Sequence, residues 1–349
     1  MQRRLTNSST LMRKLLSLVI LIVAAVSIAA SDWQTDILGA PYESRRIDQP
    51  DDYSGRVVST VIRRRADCDT HKGVLYVHGY NDYFFQREMG DRFADSCINF
   101  YAVDLRKYGR SILPGQKKFQ ARNLDEYFAD IDSALAIMRA DSVKDIVLMG
   151  HSTGGLITSY YLNKHPQSDV RGLVLNSPFL DWNFNPFMRK VAIPAVSVLG
   201  AVFKGMEISQ GNDTSAYAES LLKNYHGEWT YNTDWKTILP DKVEASWIRA
   251  ISRGQKDLDK HGDIHVPILL MHSDSSLNVT RWTPGCQTHD IVLNVDHIAK
   301  RGRRLGHDVT EVTVDSGMHD LILSAPAIRE KAYQTVFNWL RDRDIFEGK

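Results

Sequence analysis

The chain has few cysteines, almost no net charge and no repeated unit. Cysteine stands at only three positions, Cys68, Cys97 and Cys286. No two are spaced as C-x-x-C, which excludes the common zinc and dithiol motifs. The 43 basic residues meet 42 acidic ones, a formal net charge of +1. Charge so balanced carries no signature of a nucleic-acid partner. No G-x-G-x-x-G follows a strand, no basic-aromatic pattern occurs, and no low-complexity tract is present. His261-Gly262-Asp263-Ile264-His265 lacks a helical context and further ligands, so it reads as a loop. Neither a metal nor a cofactor is expected.

Long apolar runs are equally scarce, and the main one lies at the N-terminus. Residues 15–30 carry no charge, follow Arg3, Arg4, Arg13 and Lys14, and end in small side chains before Asp32. A basic region, an apolar stretch and a small-residue zone in that order read as an export signal. The run is slightly short for a bilayer span, which favours a cleaved signal peptide. A retained membrane anchor through residues 15–30 is the alternative. No cysteine follows the run, so a lipoprotein anchor is not indicated. An exported protein meets oxidising conditions, and Cys68 and Cys97 each precede a predicted strand. A Cys68–Cys97 bond is one reading, and three free thiols the other.

Between these absences the chain shows a regular alternation. Short apolar strands are expected over residues 57–62, 73–77, 98–103, 145–149, 173–176, 267–271 and 309–314. Helical spacing runs over residues 123–140, through Leu124, Tyr127, Phe128, Ile131, Leu135 and Met138. A last helix carries Ala332, Val336, Phe337 and Leu340 on its apolar face. Such alternation predicts an α/β fold with a mostly parallel sheet covered on both sides. Residues 181–263 break it and are too many for a loop. Apolar or amphipathic pieces at 191–203, 217–222 and 245–251 make this segment a helical cap inserted before the penultimate strand. The expected organisation is a leader over residues 1–31, a core split into 32–180 and 264–349, and a cap over 181–263.

Gly150-His151-Ser152-Thr153-Gly154 lies between a predicted strand and a predicted helix. Glycines on either side of a serine let the chain turn sharply and lift the hydroxyl above the sheet edge. A serine nucleophile needs a base, an acid to orient that base, and two N–H donors for the oxyanion. His319, after the last strand, has the right place for the base. The acid must lie between Ser152 and His319, and both Asp274 and Asp290 qualify. Thr153 and Tyr80 are the expected oxyanion donors, the latter from the loop His78-Gly79-Tyr80-Asn81-Asp82. His78 reads as a brace for that loop.

These motifs together resemble an α/β-hydrolase of the monoacylglycerol lipase, lysophospholipase and S33 aminopeptidase-like group. The resemblance covers roughly residues 57–340. It rests on His78-Gly79-Tyr80, the segment from Asp104 to Ser111, the Gly150 to Gly154 turn and Gly317-Met318-His319. In the Asp104 to Ser111 segment, Lys107 replaces the glycine usual in the group. At the acid, Ser276 stands where the group has an aspartate, and the pattern resumes at Asp290-Ile291-Val292, as if about fourteen residues had been inserted. The resemblance therefore favours Asp290 over Asp274. It implies a serine hydrolase acting on small or lipid carboxylic esters through an acyl-enzyme, and the leader makes it an exported one. The apolar run 191–203 is expected to shelter an acyl chain. An S33-like aminopeptidase or amidase is the nearest rival, with Glu207, Asp213, Glu219 and Glu228 as candidate amine-binding acids. A non-catalytic binding protein of the same fold is the more distant one.

Overall fold

The computed structural model describes residues 33–209 and 214–346. The leader and Asp213 lie outside these described residues. None of the described helices is long and apolar enough to cross a membrane.

Nine strands form one sheet in the order β1-β2-β3-β5-β4-β6-β7-β10-β11. They are β1 (Gln34–Thr35), β2 (Glu43–Asp52), β3 (Gly55–Arg64), β4 (Lys72–Val77), β5 (Asn99–Asp104), β6 (Asp145–His151), β7 (Val170–Asn176), β10 (Ile268–Ser273) and β11 (Val309–Val314). The six strands from β5 to β11 in that order run parallel, and β1 to β3 form an antiparallel margin. Every residue of β5 and β10 is buried. That burial is why these strands read as unbroken apolar runs. β4 pairs with β5 on one side and with β6 on the other, so the chain reverses its direction of winding there. Ligands of open α/β sheets gather at the carboxyl ends of strands beside such a reversal.

Helices cover both faces: α1 (Arg87–Asp95), α2 (Phe128–Ala140), α3 (Thr153–Lys164), α7 (Val295–Gly302) and α8 (Pro326–Asp342). One face packs Leu75, Leu148 and Leu175 against Ile131, Leu135 and Leu156. The other packs Tyr76, Val147 and Met271 against Phe93, Val336 and Leu340. Cys68 and Cys97 are bonded, joining the approach to β4 with the turn before β5. Cys286 is free and buried.

Between β7 and β10 the chain leaves the sheet. This insertion holds α4 (Ile193–Val202), α5 (Ala216–Leu221) and α6 (Ala245–His261), with a small ribbon of β8 (Glu207–Ile208) and β9 (Val243–Glu244). α4 packs closely on α6, where a side chain at Gly200 would strike the Ala245 carbonyl. The exposed side of α4 is apolar. Val191, Val198, Leu199, Val202 and Phe203 all face solvent, with Val202 73% exposed. Ile193 and Gly200 of the same run are buried, so the run presents one apolar side to the protein and one to solvent.

Candidate active site

Ser152 sits between the end of β6 and the first residue of α3 with φ 52° and ψ −118°. An L-residue takes such a conformation only when its surroundings enforce it. The enforcement is visible in the hydrogen bonds. Ser152 N–H donates to Asn176 O at 3.0 Å, and its carbonyl accepts from Phe179 N at 2.9 Å and Leu156 N at 3.2 Å. The flanking glycines are required by space. A Cβ at Gly154 would collide with the carbonyls of Val77 and His78, and one at Gly150 with Thr158 Oγ1. Thr153 opens α3 and is buried.

His319 lies in the loop after β11. Asp320 holds that loop in place. Its Oδ1 accepts from Asn176 Nδ2 at 2.7 Å and from Ile322 N at 3.1 Å, while Leu321 N donates to Asn176 Oδ1 at 3.2 Å. The end of β7 therefore carries both the Ser152 turn and the His319 loop. Asp320 was missed in the sequence, where its only signal is its place beside His319.

The structure brings Asp290, and not Asp274, to His319. Asp290 Oδ2 lies 2.9 Å from His319 Nδ1, and both side chains are buried. Its other oxygen accepts from Val292 N at 2.8 Å and Leu293 N at 2.7 Å. Residues 276–290 make an excursion that closes on itself, with Ser276 and Asp290 side by side in an isolated bridge. Leu277 N donates to Asp290 O at 3.0 Å, and Asp290 N to Ser275 O at 3.0 Å. Ser276 Oγ ties down the next stretch, donating to Leu293 O and accepting from Val295 N, each at 2.9 Å. The inserted residues thus return the carboxylate to the place that Ser276 would otherwise fill. Asp274 instead accepts from Ser316 N at 2.9 Å and supports the turn after β11. The excursion packs on the insertion, where Trp282 stacks on the His226 ring at 3.4 Å.

His151 lies beside the pair, its ring 4.9 Å from that of His319. Burial pushes its imidazole below the ordinary value and outweighs the nearby Asp320 carboxylate. A neutral His151 spares His319 a second positive charge at close range. Ser152 is 8% exposed and His319 3% exposed, so the site is largely covered. The Tyr217 ring, from α5, stands 5.8 Å from His319.

Tyr80 occupies the loop after β4, next to the Ser152 turn. Its ring lies 4.9 Å from both Phe119 and Trp247. His78 braces the loop from below, with Nδ1 2.8 Å from Gly79 O and Nε2 accepting from Leu105 N at 3.1 Å. Of the acids that an amine-binding site would use, Glu207 pairs with Lys117, Glu228 with Arg329, and Glu219 accepts from Ser215.

Comparison with known proteins agrees with this architecture. A family model described as serine aminopeptidase, S33, matches residues 69–280. The AB hydrolase superfamily protein YisY of Bacillus subtilis (strain 168) is 27% identical over 113 residues, which cover 32% of this chain and 39% of that protein. The match thus spans well under two thirds of that relative's length. Among solved structures, a soluble variant of monoglyceride lipase from Saccharomyces cerevisiae superposes with a TM-score of 0.62 at 17% identity, covering 84% of this chain and 94% of that one. A monoacylglycerol lipase of Paleococcus ferrophilus gives 0.56 at 20% identity, with 85% and 98% covered. A thermostable carboxyl esterase of Bacillus coagulans gives 0.62 at 13% identity, with 86% and 98% covered. At these identities the structural likeness carries the fold.

Proposed function

We propose, from the premise that this chain belongs to the serine aminopeptidase S33 family of α/β-hydrolases, that it is an exported serine hydrolase cleaving carboxylic esters. In this reading Ser152 attacks the carbonyl and His319 takes its proton. Asp290 holds the imidazolium, and the N–H groups of Thr153 and Tyr80 receive the oxyanion. Water then releases the acyl group. The observation that carries the proposal is the buried His319–Asp290 pair, 2.9 Å apart, whose imidazole lies 4.9 Å from the ring of His151, the residue before a serine held at φ 52°. Burial favours it, because a carboxylate shielded from water holds an imidazolium more strongly. The residues 181–263 segment acts as a cap over that site.

Export is supported by the basic and apolar leader and by the Cys68–Cys97 bond, since disulfides persist in oxidising compartments. A lipid-like ester is favoured by the outward apolar face of α4. Lys190 and Lys204 bracket that face, an arrangement suited to substrate presented from an anionic lipid surface. The amide reading is weaker, because Glu207 and Glu228 are engaged in other ion pairs.

The test is hydrolysis of p-nitrophenyl esters of increasing chain length by protein lacking residues 1–30, beside Ser152→Ala. The expected outcome is turnover that rises with chain length and falls by at least about a thousandfold in the mutant. Equal turnover by both proteins removes Ser152 from the chemistry. Equal turnover of short and long esters removes the lipid preference.

A further inference from the structure

The loop after β4 is held from above as well as from below. Four successive residues in it are gripped by one stretch of the insertion, residues 232–241. Tyr80 OH donates to Asp241 O at 3.1 Å. Asn81 Nδ2 donates to Thr237 O at 2.9 Å, and Asn81 Oδ1 accepts from Thr237 N at 2.8 Å and Thr237 Oγ1 at 3.0 Å. Lys236 Nζ pairs with Asp82 Oδ1 at 2.9 Å. Tyr83 OH accepts from Asn232 N at 2.7 Å.

Two of these contacts are expensive to hold. Asn81 has φ 49°, a left-handed conformation that asparagine tolerates better than most residues. The Lys236–Asp82 pair is almost fully buried, and the ammonium lies 5.6–5.7 Å from the rings of Phe85, Tyr217 and Tyr231. A buried ion pair contributes little net stability, but it fixes the positions of the two groups that form it. The loop's position also matters sharply for Ser152, because a Cβ at Gly79 would stand 3.1 Å from the Ser152 Cβ.

We infer that residues 232–241 form a strap that belongs to the catalytic apparatus, with Asn81 and Lys236 as positioning residues for the Tyr80 N–H oxyanion donor. The inference rests on the reaction proposed above. Asn81 touches no reacting atom. It acts by fixing the backbone one residue ahead of it, as the amide-like grip on Thr237 sets the height of the loop over Ser152. A donor that shifts by a fraction of an ångström loses most of its preference for the transition state, while substrate binding elsewhere is preserved.

The experiment compares wild type, Ser152→Ala, Asn81→Gly and Asn81→Asp on one p-nitrophenyl ester. Active sites are counted by fluorophosphonate labelling at completion, so misfolded protein does not enter kcat. Asn81→Gly keeps the left-handed backbone and removes the grip. Asn81→Asp keeps both acceptor contacts to Thr237 but sets its second oxygen against the Thr237 carbonyl where the amide donated. The expected result is kcat per labelled site reduced about 10- to 100-fold in Asn81→Gly, KM within about twofold, and partial recovery in Asn81→Asp from the two acceptor contacts it keeps. Unchanged kcat in Asn81→Gly overturns the strap's role while leaving the proposed reaction intact. A matched rise in KM also overturns it, because the strap would then shape binding rather than the oxyanion site. Wild-type turnover no greater than that of Ser152→Ala takes down the proposed reaction, and the strap's role with it.

Discussion

Lys107 stands where the resemblance leads to glycine being expected, and its φ of 65° gives a backbone reason for that expectation. An L-residue held there costs about 1–2 kcal/mol. The side chain offsets this by pairing with Asp52 Oδ2 at 2.6 Å, with both groups largely buried. Burial pushes the Asp52 carboxyl up, but hydrogen bonds from Lys107 and Ser54 outweigh it and hold the group below the ordinary carboxylate range. Lys107→Gly relieves the backbone and leaves the largely buried carboxylate without its cation, held by Ser54 alone, a loss of about 3–5 kcal/mol. The net expectation is a destabilisation of about 2–3 kcal/mol in urea unfolding at neutral pH. The sign with pH follows from the depressed Asp52 value. The difference is complete above about pH 4, the unfolded carboxylate's range, and fades as acid protonates Asp52 in the folded protein. An unchanged midpoint in Lys107→Gly would show that backbone relief cancels the loss of the pair, and a raised one that it outweighs it. The sequence exposes Lys107 as a departure but hides its partner. Asp52 belongs to β2, whose residues Glu43–Asp52 are mostly polar and include Pro50, so no apolar alternation announces a strand.

At the scale of elements, the legible parts were those whose burial leaves a pattern. The central strands, the helix at 128–140 and the helical pieces of the insertion all stand close to where their apolar spacing puts them. β2 and α1 did not show, because one is a polar marginal strand and the other has too few apolar positions. The direction in which the apolar side of α4 faces was also illegible, since composition records that a face is apolar without saying what it meets. The acid remained open between Asp274 and Asp290 for a topological reason. Only the closure of the 276–290 excursion, through the Ser276–Asp290 bridge, decides which carboxylate meets His319. Two substitutions separate the roles. Asp290→Asn keeps the shape of the side chain but removes the charge facing the imidazolium, and kcat is expected to fall by about 10³- to 10⁴-fold. Asp274→Ala loses one acceptor for Ser316 N and is expected to lower stability by about 1 kcal/mol with kcat nearly unchanged. The reverse ranking would transfer the acid's role to Asp274.

Across the whole molecule, one covalent link ties together the entries to two neighbouring strands, β4 and β5. The Cys68–Cys97 bond closes a loop with a sequence separation of 29 that contains β4, the oxyanion-loop candidate and α1. The strap acts on that same closed segment from the opposite side, so covalent and non-covalent restraints converge on the loop beside Ser152. Constraining a loop of this length in the unfolded chain contributes about 3–4 kcal/mol. Cys68→Ser with Cys97→Ser is therefore expected to lose that amount in denaturant unfolding, with Cys286 still present and buried. Treatment of folded wild type with a mild reductant distinguishes the bond's two consequences. If the loop is held chiefly by the disulfide, esterase activity falls together with the unfolding midpoint. If the strap and the His78 brace suffice, the midpoint drops while activity in the absence of denaturant is kept, and this second outcome is expected because four residues of the loop are gripped independently of the bond. A double mutant as stable as wild type would mean that the bond adds nothing to stability, and thiol titration of the unfolded wild type finding three free cysteines would leave the export reading to rest on the leader alone.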